Sequence, residues 1–275
     1  MSKFGSVEFK DENGLAYGVK QVSNKPRVSC MPYLYDIAEG NIAGHTRFGA
    51  FGERENVAVI ANGSDMWNGV ATTQPYPVST GEQLSIVSTS AQDGVGGTGV
   101  LTVTIHYLDD SGTSQTTEVT MNGTTAVNLT PALVKFVQFI HTETVGTNGA
   151  SVGKITIYKT GTASSVYKFI AIGSNSSEDA MRMVPSGKTA YLTTCYATAA
   201  EKSVSTHLRV TAHNNEYIEN VFIPHFSAFL KDSTINQEFN VPIMCPSLSI
   251  IKMSVFVPAT KAGADVSGGF FGWVE

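Results

Sequence analysis

Charged residues are scarce in this chain, and those present form no cluster. They make up 15% of the 275 residues, against about 25% in an average globular protein. The 18 Lys and Arg are outnumbered by 23 Asp and Glu, which gives a formal net charge of −5, and the basic residues are scattered. Nucleic-acid binding depends on a basic stripe that displaces counterions. The composition therefore argues against a nucleic-acid partner.

Long apolar runs and closely spaced cysteines are also lacking. No uninterrupted apolar segment reaches the roughly 20 residues that cross a bilayer. The start, MSKFGSVEFKDENG, has no apolar core of a signal peptide, so we expect cytoplasmic synthesis and no membrane association. The three cysteines, Cys30, Cys195 and Cys245, lie far apart and fit buried thiols better than a disulfide framework.

What fills the chain is a pattern of alternating strands and turns. Between Leu101 and Tyr107 every second residue is apolar, and the turns Asp109–Gly112 and Asn122–Gly123 bound the strand that follows. Period-2 alternation between such turns is a strong hairpin signal. No segment is long enough, with a period of 3.6, to be a crossover helix, which argues against parallel α/β folds. The predicted strands lie near residues 82–90, 100–108, 115–121, 124–129, 133–141, 153–159, 165–171, 181–184, 189–197, 208–212, 217–222, 238–241, 248–257 and 267–274.

We therefore predict an all-β chain with an extended N-terminal arm, residues 1–63, before two antiparallel β-sandwich or jelly-roll-like domains. The domains span residues 64–172 and 173–275, with the linker-like stretch Gly173–Ser177 between them. Glycines at 40, 44, 49 and 52 argue against a helix in the arm, which either packs on the body or reaches a neighbouring subunit. The alternative is one twisted sandwich that interleaves both strand sets.

Sequence motifs of catalysis and cofactor binding are missing or out of context. Gly94, Gly96 and Gly99 have dinucleotide-fold spacing, but a strand and not a helix follows them, so we interpret them as a loop. No G-x-S-x-G elbow occurs, and Asp109 and Asp110 lack the spacing of a calcium loop. We expect no catalytic site and no cofactor.

The histidines also fail to suggest a metal site. His207 and His213 share a predicted strand but would stand about 20 Å apart at 3.3 Å per residue, too far for one ion. His106, His141 and His225 lie on different predicted strands and could meet. We expect no metal within one chain.

Four aromatic residues are candidate interaction residues: Trp67, Tyr76, Phe271 and Trp273. They could form a platform on which sugars stack. More often such side chains fill a core or a subunit interface, because large apolar groups dominate both.

Several phrases of the sequence resemble a poorly characterised family of tailed-bacteriophage virion structural proteins that is common in marine and environmental phages. The resemblance covers about residues 45–275, with gaps, and is weakest over residues 198–235. It rests on these segments: His45, Phe48–Gly49, Asp65–Gly69, Ile86–Gly99, Val103–Ile105, Leu108–Asp109, Glu118–Val127, Val184–Leu192 and Ala264–Phe270.

The resemblance implies a non-enzymatic virion component: a head decoration or cement protein, a minor capsid protein, or a collar, neck or tail-associated protein. It further implies a trimer or larger ring, docking to major capsid, portal, neck or tail proteins, and assembly in the host cytoplasm. The alternative is the receptor- or carbohydrate-binding head of a phage fibre. A glycan-degrading enzyme is a third hypothesis, which requires two carboxylates facing each other in a cleft.

Overall fold

The computed structural model describes residues 21–22, 25–26, 33–57, 63–69, 71–76, 81–130, 133–200, 202–211, 221–258 and 263–275. The chain divides into two compact units, Met1–Gly44 and His45–Glu275. The described residues contain one helix, α1 (Tyr33–Glu39), and the following strands: β1 (Gln21–Val22), β2 (Lys25–Pro26), β3 (Thr46–Val57), β4 (Ser64–Asp65), β5 (Leu84–Ser88), β6 (Val100–Asp109), β7 (Ser114–Thr120), β8 (Val127–Asn128), β9 (Val134–Val145), β10 (Ile155–Lys159), β11 (Thr162–Ile170), β12 (Met181–Met183), β13 (Ala190–Ala200), β14 (Val204–Thr211), β15 (Phe222–Leu230), β16 (Ser233–Cys245), β17 (Ile250–Phe256) and β18 (Ala264–Val274).

The first unit contains the antiparallel pair β1–β2 and the short helix α1. The glycines of this region argued against a helix, and the structure corrects that expectation. Gly40 has a φ of +76°, a conformation that suits glycine and ends helices. Its amide donates a hydrogen bond to the carbonyl of Ile37 at 3.1 Å. Gly40 therefore terminates the helix and does not prevent it.

The second unit contains two β-sandwiches, and we call the one built from β5 to β11 the N-terminal sandwich. One sheet has the strand order β11-β10-β5-β8 and the other has the order β7-β6-β9, and all pairs are antiparallel. Alternate residues such as Ile86, Ile105 and Ile140 are fully buried between the sheets. Burying one such side chain contributes about 1.5–3 kcal/mol, so this core explains why the alternating pattern folds as it does.

The other sandwich, the C-terminal sandwich, contains β3 and β4 from before the N-terminal sandwich in the chain and β12 to β18 from after it. One sheet has the order β16-β13-β18-β3, and the other has the order β12-β17-β14-β15, with β4 also paired to β17. Its core contains Leu192, Met253 and Phe270, all fully buried. The described residues thus form an all-β fold of two antiparallel sandwiches, as the sequence predicted. The two hydrophobic cores are separate, although β3 and β4 precede the N-terminal sandwich in the chain and belong to the C-terminal one.

The predicted arm, residues 1–63, extends too far along the chain. Residues Thr46–Val57 form β3, which pairs with β18 along its whole length and belongs to the C-terminal sandwich. This strand was not predicted from the sequence because its glycines resemble residues that interrupt strands. Gly52 is required by close packing, since a Cβ there would lie 2.3 Å from the carbonyl oxygen of Met66. The rest of the predicted arm falls mostly outside the described residues.

The two sandwiches meet at an apolar cluster and a buried ionic group. Leu108 and Phe136 of the N-terminal sandwich pack with Met181, Met183 and Ile250 of the C-terminal one. The predicted linker, Gly173–Ser177, packs along β9, because its backbone forms hydrogen bonds with that strand. The structure shows two separate hydrophobic cores. That the chain divides into two independent domains at residue 172/173 stays a prediction.

The ionic group at this junction consists of Lys168, Asp179 and Arg182. The Asp179 side chain is 4% exposed and forms an ion pair with Lys168. The Arg182 Nη1 lies 3.4 Å from the same carboxylate oxygen. Burial lowers the pKa of Lys168 to about 8, and Asp179 opposes that shift. A buried cation is tolerated only when it is paired, so Asp179 holds two cations across the junction.

Candidate interaction surface

The outer face of the sheet β16-β13-β18-β3 is rich in aromatic residues. In β13, Tyr191 and Tyr196 point away from the core on either side of the irregularity between Leu192 and Thr194, as do Phe271 and Trp273 in β18. Phe51 of β3 and Met244 of β16 stand on the same face by register. We call this surface the aromatic face; its members are Phe51, Tyr191, Tyr196, Met244, Phe271 and Trp273.

Cross-strand stacking organises the aromatic face. Tyr191 stacks on Trp273 with ring centroids 5.1 Å apart, and Tyr196 stacks on Phe271 at 5.9 Å. Glycines make room for these rings. A Cβ on Gly49 would lie 2.7 Å from the ring of Phe271. A ring that covers a cross-strand glycine stabilises register, so the glycines that obscured β3 in the sequence are part of the surface.

Three members of the aromatic face are exposed although they are large and apolar. Phe51 is 47%, Phe271 45% and Met244 63% exposed. The outer face of an antiparallel sheet is normally polar where it meets water. Large exposed apolar patches on proteins often belong to interaction sites.

The Glu275 carboxylate contacts two side chains at one end of the aromatic face. The Glu275 side chain accepts a hydrogen bond from Tyr191 and lies 2.6 Å from Nε2 of His45. The hydrogen bond from Tyr191 and the contact with His45 lower the pKa of Glu275. The Glu275 carboxylate is therefore held by contacts within the second unit.

The structure brings together only two of the four aromatic residues singled out in the sequence. Phe271 and Trp273 lie on the aromatic face, but Trp273 is only 9% exposed. Trp67 is 1% exposed, packs against Phe169, and donates from Nε1 to the carbonyl of Ala71.

Tyr76 packs on Phe136 at the sandwich junction. A solvent-facing tryptophan platform for sugars is therefore not formed by Trp67 or Trp273. Sequence reasoning missed Phe51, Tyr191, Tyr196 and Met244 because their common face depends on which strands pair.

A groove of about 610 Å³ runs beside β3. One wall is the edge of β3, and the other is the outer face of β6, β7 and β9. The described lining residues are Thr46, Arg47, Phe48, Gly49, Ala50, Phe51, His106, Tyr107, Ser114, Gln115, Thr116, Gln138, Phe139, Ser176, Ser177, Arg182, Pro185, Phe271 and Val274. None of these residues is acidic, so the groove lacks the paired carboxylates that a glycosidase requires.

His106 and His141 meet beside this groove, as the sequence allowed. Their ring centroids are 5.3 Å apart, and Phe139 stacks on His106 at 4.1 Å. The guanidinium of Arg182 lies 5.6 Å from the centre of the Phe139 ring. Burial lowers the pKa of His106, and His141 and Arg182 lower it further. His106 is therefore harder to protonate than a free imidazole, and it forms part of the wall of the groove.

A smaller groove carries the most acidic grouping near the aromatic sheet. It encloses about 220 Å³ and is lined by Glu53, Glu55 and Asp265 among other residues. Burial raises the pKa of Glu53, and the neighbouring Glu178 and Glu55 raise it further. Asn68 donates to Glu53, and the amide of Asn56 donates to Asp265. The carboxylates of Glu53 and Asp265 thus accept local hydrogen bonds.

The glycine-rich loop wraps a buried carboxylate of its own chain. Asp93 is 0% exposed and accepts hydrogen bonds from the hydroxyl of Ser88 and the amides of Val100, Val152 and Gly153, at 2.6–3.0 Å. Burial alone would raise the pKa of Asp93, but these hydrogen bonds prevail and lower it. Gly94 to Gly99 lead directly into β6, so the loop interpretation is confirmed.

Nucleophile and metal chemistry have little support in the described residues. Burial raises the pKa of both Cys195 and Cys245 to about 12, which keeps these thiols protonated. No group of three or more His, Cys, Asp or Glu there is arranged to hold a metal ion. Cys30 and His213 lie outside the described residues. Within the same residues, no helix has the length and apolar character needed to cross a membrane.

Comparisons with known proteins give little further guidance. No family model and no curated protein matches the chain. A chain in a solved structure of infectious bursal disease virus, Gt strain, is similar over 89% of this chain and 77% of that one, with 10% sequence identity and a TM-score of 0.23. A likeness at that score carries no argument about this protein, so its function is argued from its own surfaces.

Proposed function

We propose that this protein is a non-enzymatic structural component of a virus particle, of the tailed-phage kind its sequence resembles. It acts by associating with copies of itself and by docking to other virion proteins. The observation that carries the proposal is the aromatic face, an outer sheet surface with Phe51, Phe271 and Met244 about half exposed or more. Aromatic residues and Met are enriched in protein interfaces.

The proposed interface is the aromatic face of one subunit packed on another subunit. Homo-oligomers usually close by rotational symmetry, and a trimer or larger ring is the form we propose. A stable contact buries about 1,200–2,000 Å² in total, so the six-residue face would form its centre with polar residues around it. The particle position we propose is a head decoration, minor capsid, neck or tail-associated site.

The test is the mass of the purified full chain in solution, measured by light scattering over a range of concentrations. We expect an oligomer for the wild type and a shift to monomer for the double variant Phe271→Ser/Met244→Ser. The matched control is Val95→Ser/Ile172→Ser, which removes two apolar side chains that are 83% and 68% exposed but lie elsewhere. A monomeric wild type, or equal dissociation of the control, would refute the proposed interface.

A second experiment addresses the particle itself. Electron microscopy of intact particles with a label fused to this chain is expected to show it at repeated, symmetry-related positions. A label confined to fibre tips, together with binding of the purified chain to host glycans, would instead favour the receptor-binding alternative. Turnover of a glycan by the purified chain would contradict the non-enzymatic part of the proposal.

A further inference from the structure

Two lysine–aspartate pairs are buried in the described part of the chain. Lys168 contacts Asp179, with side chains 2% and 4% exposed, and Lys252 contacts Asp65, with both side chains 5% exposed. A lysine amine is a nucleophile when it is neutral, and beside a carboxyl group it can form an amide. Burial favours the neutral forms of both groups. The two pairs differ in how their carboxyl oxygens are bonded.

Both oxygens of the Asp65 carboxylate accept hydrogen bonds. Its Oδ1 accepts from Nζ of Lys252 at 2.8 Å and from the Ser254 hydroxyl at 3.1 Å, and its Oδ2 accepts from the backbone amide of Gln74 at 2.9 Å. Hydrogen bonds of this kind stabilise the charged form of a carboxylate. Loss of either oxygen would also leave a buried donor without an acceptor. This pair is therefore held as an ion pair.

The Asp179 carboxylate is bonded at one oxygen alone. Its Oδ1 contacts Nζ of Lys168 and lies 3.4 Å from Nη1 of Arg182. Its buried Oδ2 has no hydrogen-bond partner among the described residues. A buried polar atom without a partner is unfavourable and rare in proteins. Oδ2 is therefore an oxygen that this site can lose without breaking a hydrogen bond.

The surroundings of Lys168 favour its neutral amine. Burial lowers the pKa of Lys168 to about 8 against the opposing effect of Asp179, and the charge of Arg182 adds to the lowering. The centre of the Phe136 ring lies 5.6 Å from the Lys168 Nζ, on a side chain that is 1% exposed. An amine in such surroundings is a better nucleophile than an exposed lysine.

The backbones of both reacting residues are fixed by strand pairing. Lys168 pairs with Ile157 in the ladder of β10 and β11, and Asp179 forms bridges with Phe51 and Trp67. Reacting groups that are held in contact reach effective concentrations of about 10⁵–10⁸ M. A site closed to water also protects the product from hydrolysis. The position therefore favours a condensation that free amines and carboxylates do not undergo in water.

We infer that Lys168 and Asp179 condense to an intramolecular amide that joins the two sandwiches covalently. Nζ of Lys168 bonds to Cγ of Asp179, two of the three ammonium protons pass to Oδ2, and the Cγ–Oδ2 bond breaks to release water. Oδ1 becomes the amide oxygen, and Arg182 stabilises the negative charge that develops on it during the reaction. The remaining N–H can donate to the carbonyl of Met181, which lies 3.5 Å from Nζ. The ion pair at the junction is the reactant of this step.

The cross-link has a defined place in the fold. It connects β11 of the N-terminal sandwich to the segment before β12 of the C-terminal one, and it closes a loop that contains the predicted linker, Gly173–Ser177. A covalent link of this kind restricts the unfolded chain, as a disulfide does. The two sandwiches would then stay joined even when the other contacts of the junction break.

The test is the intact mass of the purified full chain, measured by electrospray mass spectrometry under denaturing conditions. We expect a mass that is lower than that of the sequence by one water molecule. Trypsin should leave the denatured chain uncut after Lys168, because its amine is blocked, and should release residues 160–182 as one peptide that also lacks one water. A wild type with the full mass, or complete cleavage after Lys168, would overturn the inference.

Two matched variants identify the reacting pair. Lys168→Arg keeps the positive charge but removes the amine, so its mass should agree with its sequence. Lys252→Arg makes the same change at the other buried pair and should still lack one water. Ring closure of Asp179 onto its own backbone also releases water but does not need Lys168. Water loss that persists in Lys168→Arg, or that disappears in Lys252→Arg alone, would therefore overturn the assignment.

The result does not depend on the variants folding or on self-association. The wild-type peptide of residues 160–182 decides the question even if Lys168→Arg fails to fold. The double variant Phe271→Ser/Met244→Ser should contain the same cross-link, because both reacting groups belong to one chain. A monomeric wild type that lacks one water would therefore refute the proposed interface and leave the amide established.

Discussion

The two sandwiches have similar cores but different outer faces. In the N-terminal sandwich, the outer face of the sheet β7-β6-β9 carries polar residues such as Thr104, Thr116 and Glu118. In the C-terminal sandwich, the outer face of the sheet β16-β13-β18-β3 carries the aromatic face. Burial of a core explains the inner residues of both sheets. It does not explain aromatic residues on an outer face, and this difference is the basis of the proposed self-association.

The boundary between the two regions is also informative. Along β6 and β9, the outer residues change from polar at Thr104 through His106 and Phe139 to Leu108 and Phe136, which are buried against the C-terminal sandwich. The groove lies where this change occurs. The two sandwiches thus share a closed apolar contact and an open groove beside it. The following variants test the comparison, in order of decreasing expected effect.

The largest effect is expected at the junction. Asp179→Asn removes the only charge that compensates Lys168 and Arg182 in the buried group. Leaving buried cations unpaired costs about 3–5 kcal/mol, and urea unfolding should show this loss. Glu82→Gln, at a partly exposed pair with Lys159, is the control and should cost less than about 1 kcal/mol. Equal losses of stability in the two variants would show that the buried ion pairs at the junction contribute no more than a partly exposed ion pair.

Asp93→Asn should destabilise the N-terminal sandwich selectively. An amide group cannot accept all the hydrogen bonds that the buried carboxylate receives from Ser88, Val100, Val152 and Gly153. Unsatisfied buried donors cost about 1–3 kcal/mol. Hydrogen exchange should increase first in β6 and β10, and less in β13 and β18. Glu118→Gln on the polar outer face should change stability by less than about 0.5 kcal/mol.

Exchanging residue types between the two outer faces separates association from stability. Phe51→Thr should weaken self-association about tenfold, since interface residues that matter cost above about 1 kcal/mol when truncated. Its effect on monomer stability should be small because Phe51 is 47% exposed. Thr120→Phe on β7 places an aromatic ring on the polar face and should not enhance association. Stronger self-association of Thr120→Phe would mean that any exposed aromatic ring is sufficient for self-association.

The smallest effect concerns pH. Burial, His141 and Arg182 lower the pKa of His106 below its ordinary value of 6.5, so the unfolded chain binds this proton more readily. Stability should therefore fall as pH drops from about 6.5 through the lowered pKa. His106→Gln should show a smaller decrease in melting temperature between about pH 7.5 and pH 5. A decrease equal to that of the wild type would show that His106 does not contribute.

Much of the fold was predictable because local patterns agree with the tertiary structure. The hairpin of β6 and β7 follows from alternation and turn residues, whereas β8 pairs with β5 in the other sheet. Both cores consist of the expected alternate positions. The strand β3 was not predictable in the same way. Gly49 and Gly52 resemble breakers in sequence, but one lies beside the Phe271 ring and the other beside the backbone of Met66 and Asp179.

The interaction surfaces were less predictable than the fold. Phe271 and Trp273 were singled out, whereas Phe51, Tyr191, Tyr196 and Met244 are far away along the chain. They share a face because β16, β13, β18 and β3 pair in that order. Trp67 is as aromatic as the others but lies in the interior, and Tyr76 is partly buried at the junction of the sandwiches. Residue type alone suggested candidate residues, and the order of the strands determined which aromatic residues share the outer face.

The sequence by itself determined that this protein is built from antiparallel strands, because period-2 alternation and turn residues act over a few neighbouring positions. Only the tertiary structure decided which outer face is aromatic and that Asp179 neutralises cations from both sandwiches. Those properties depend on contacts between residues distant in the chain, and no local pattern encodes them.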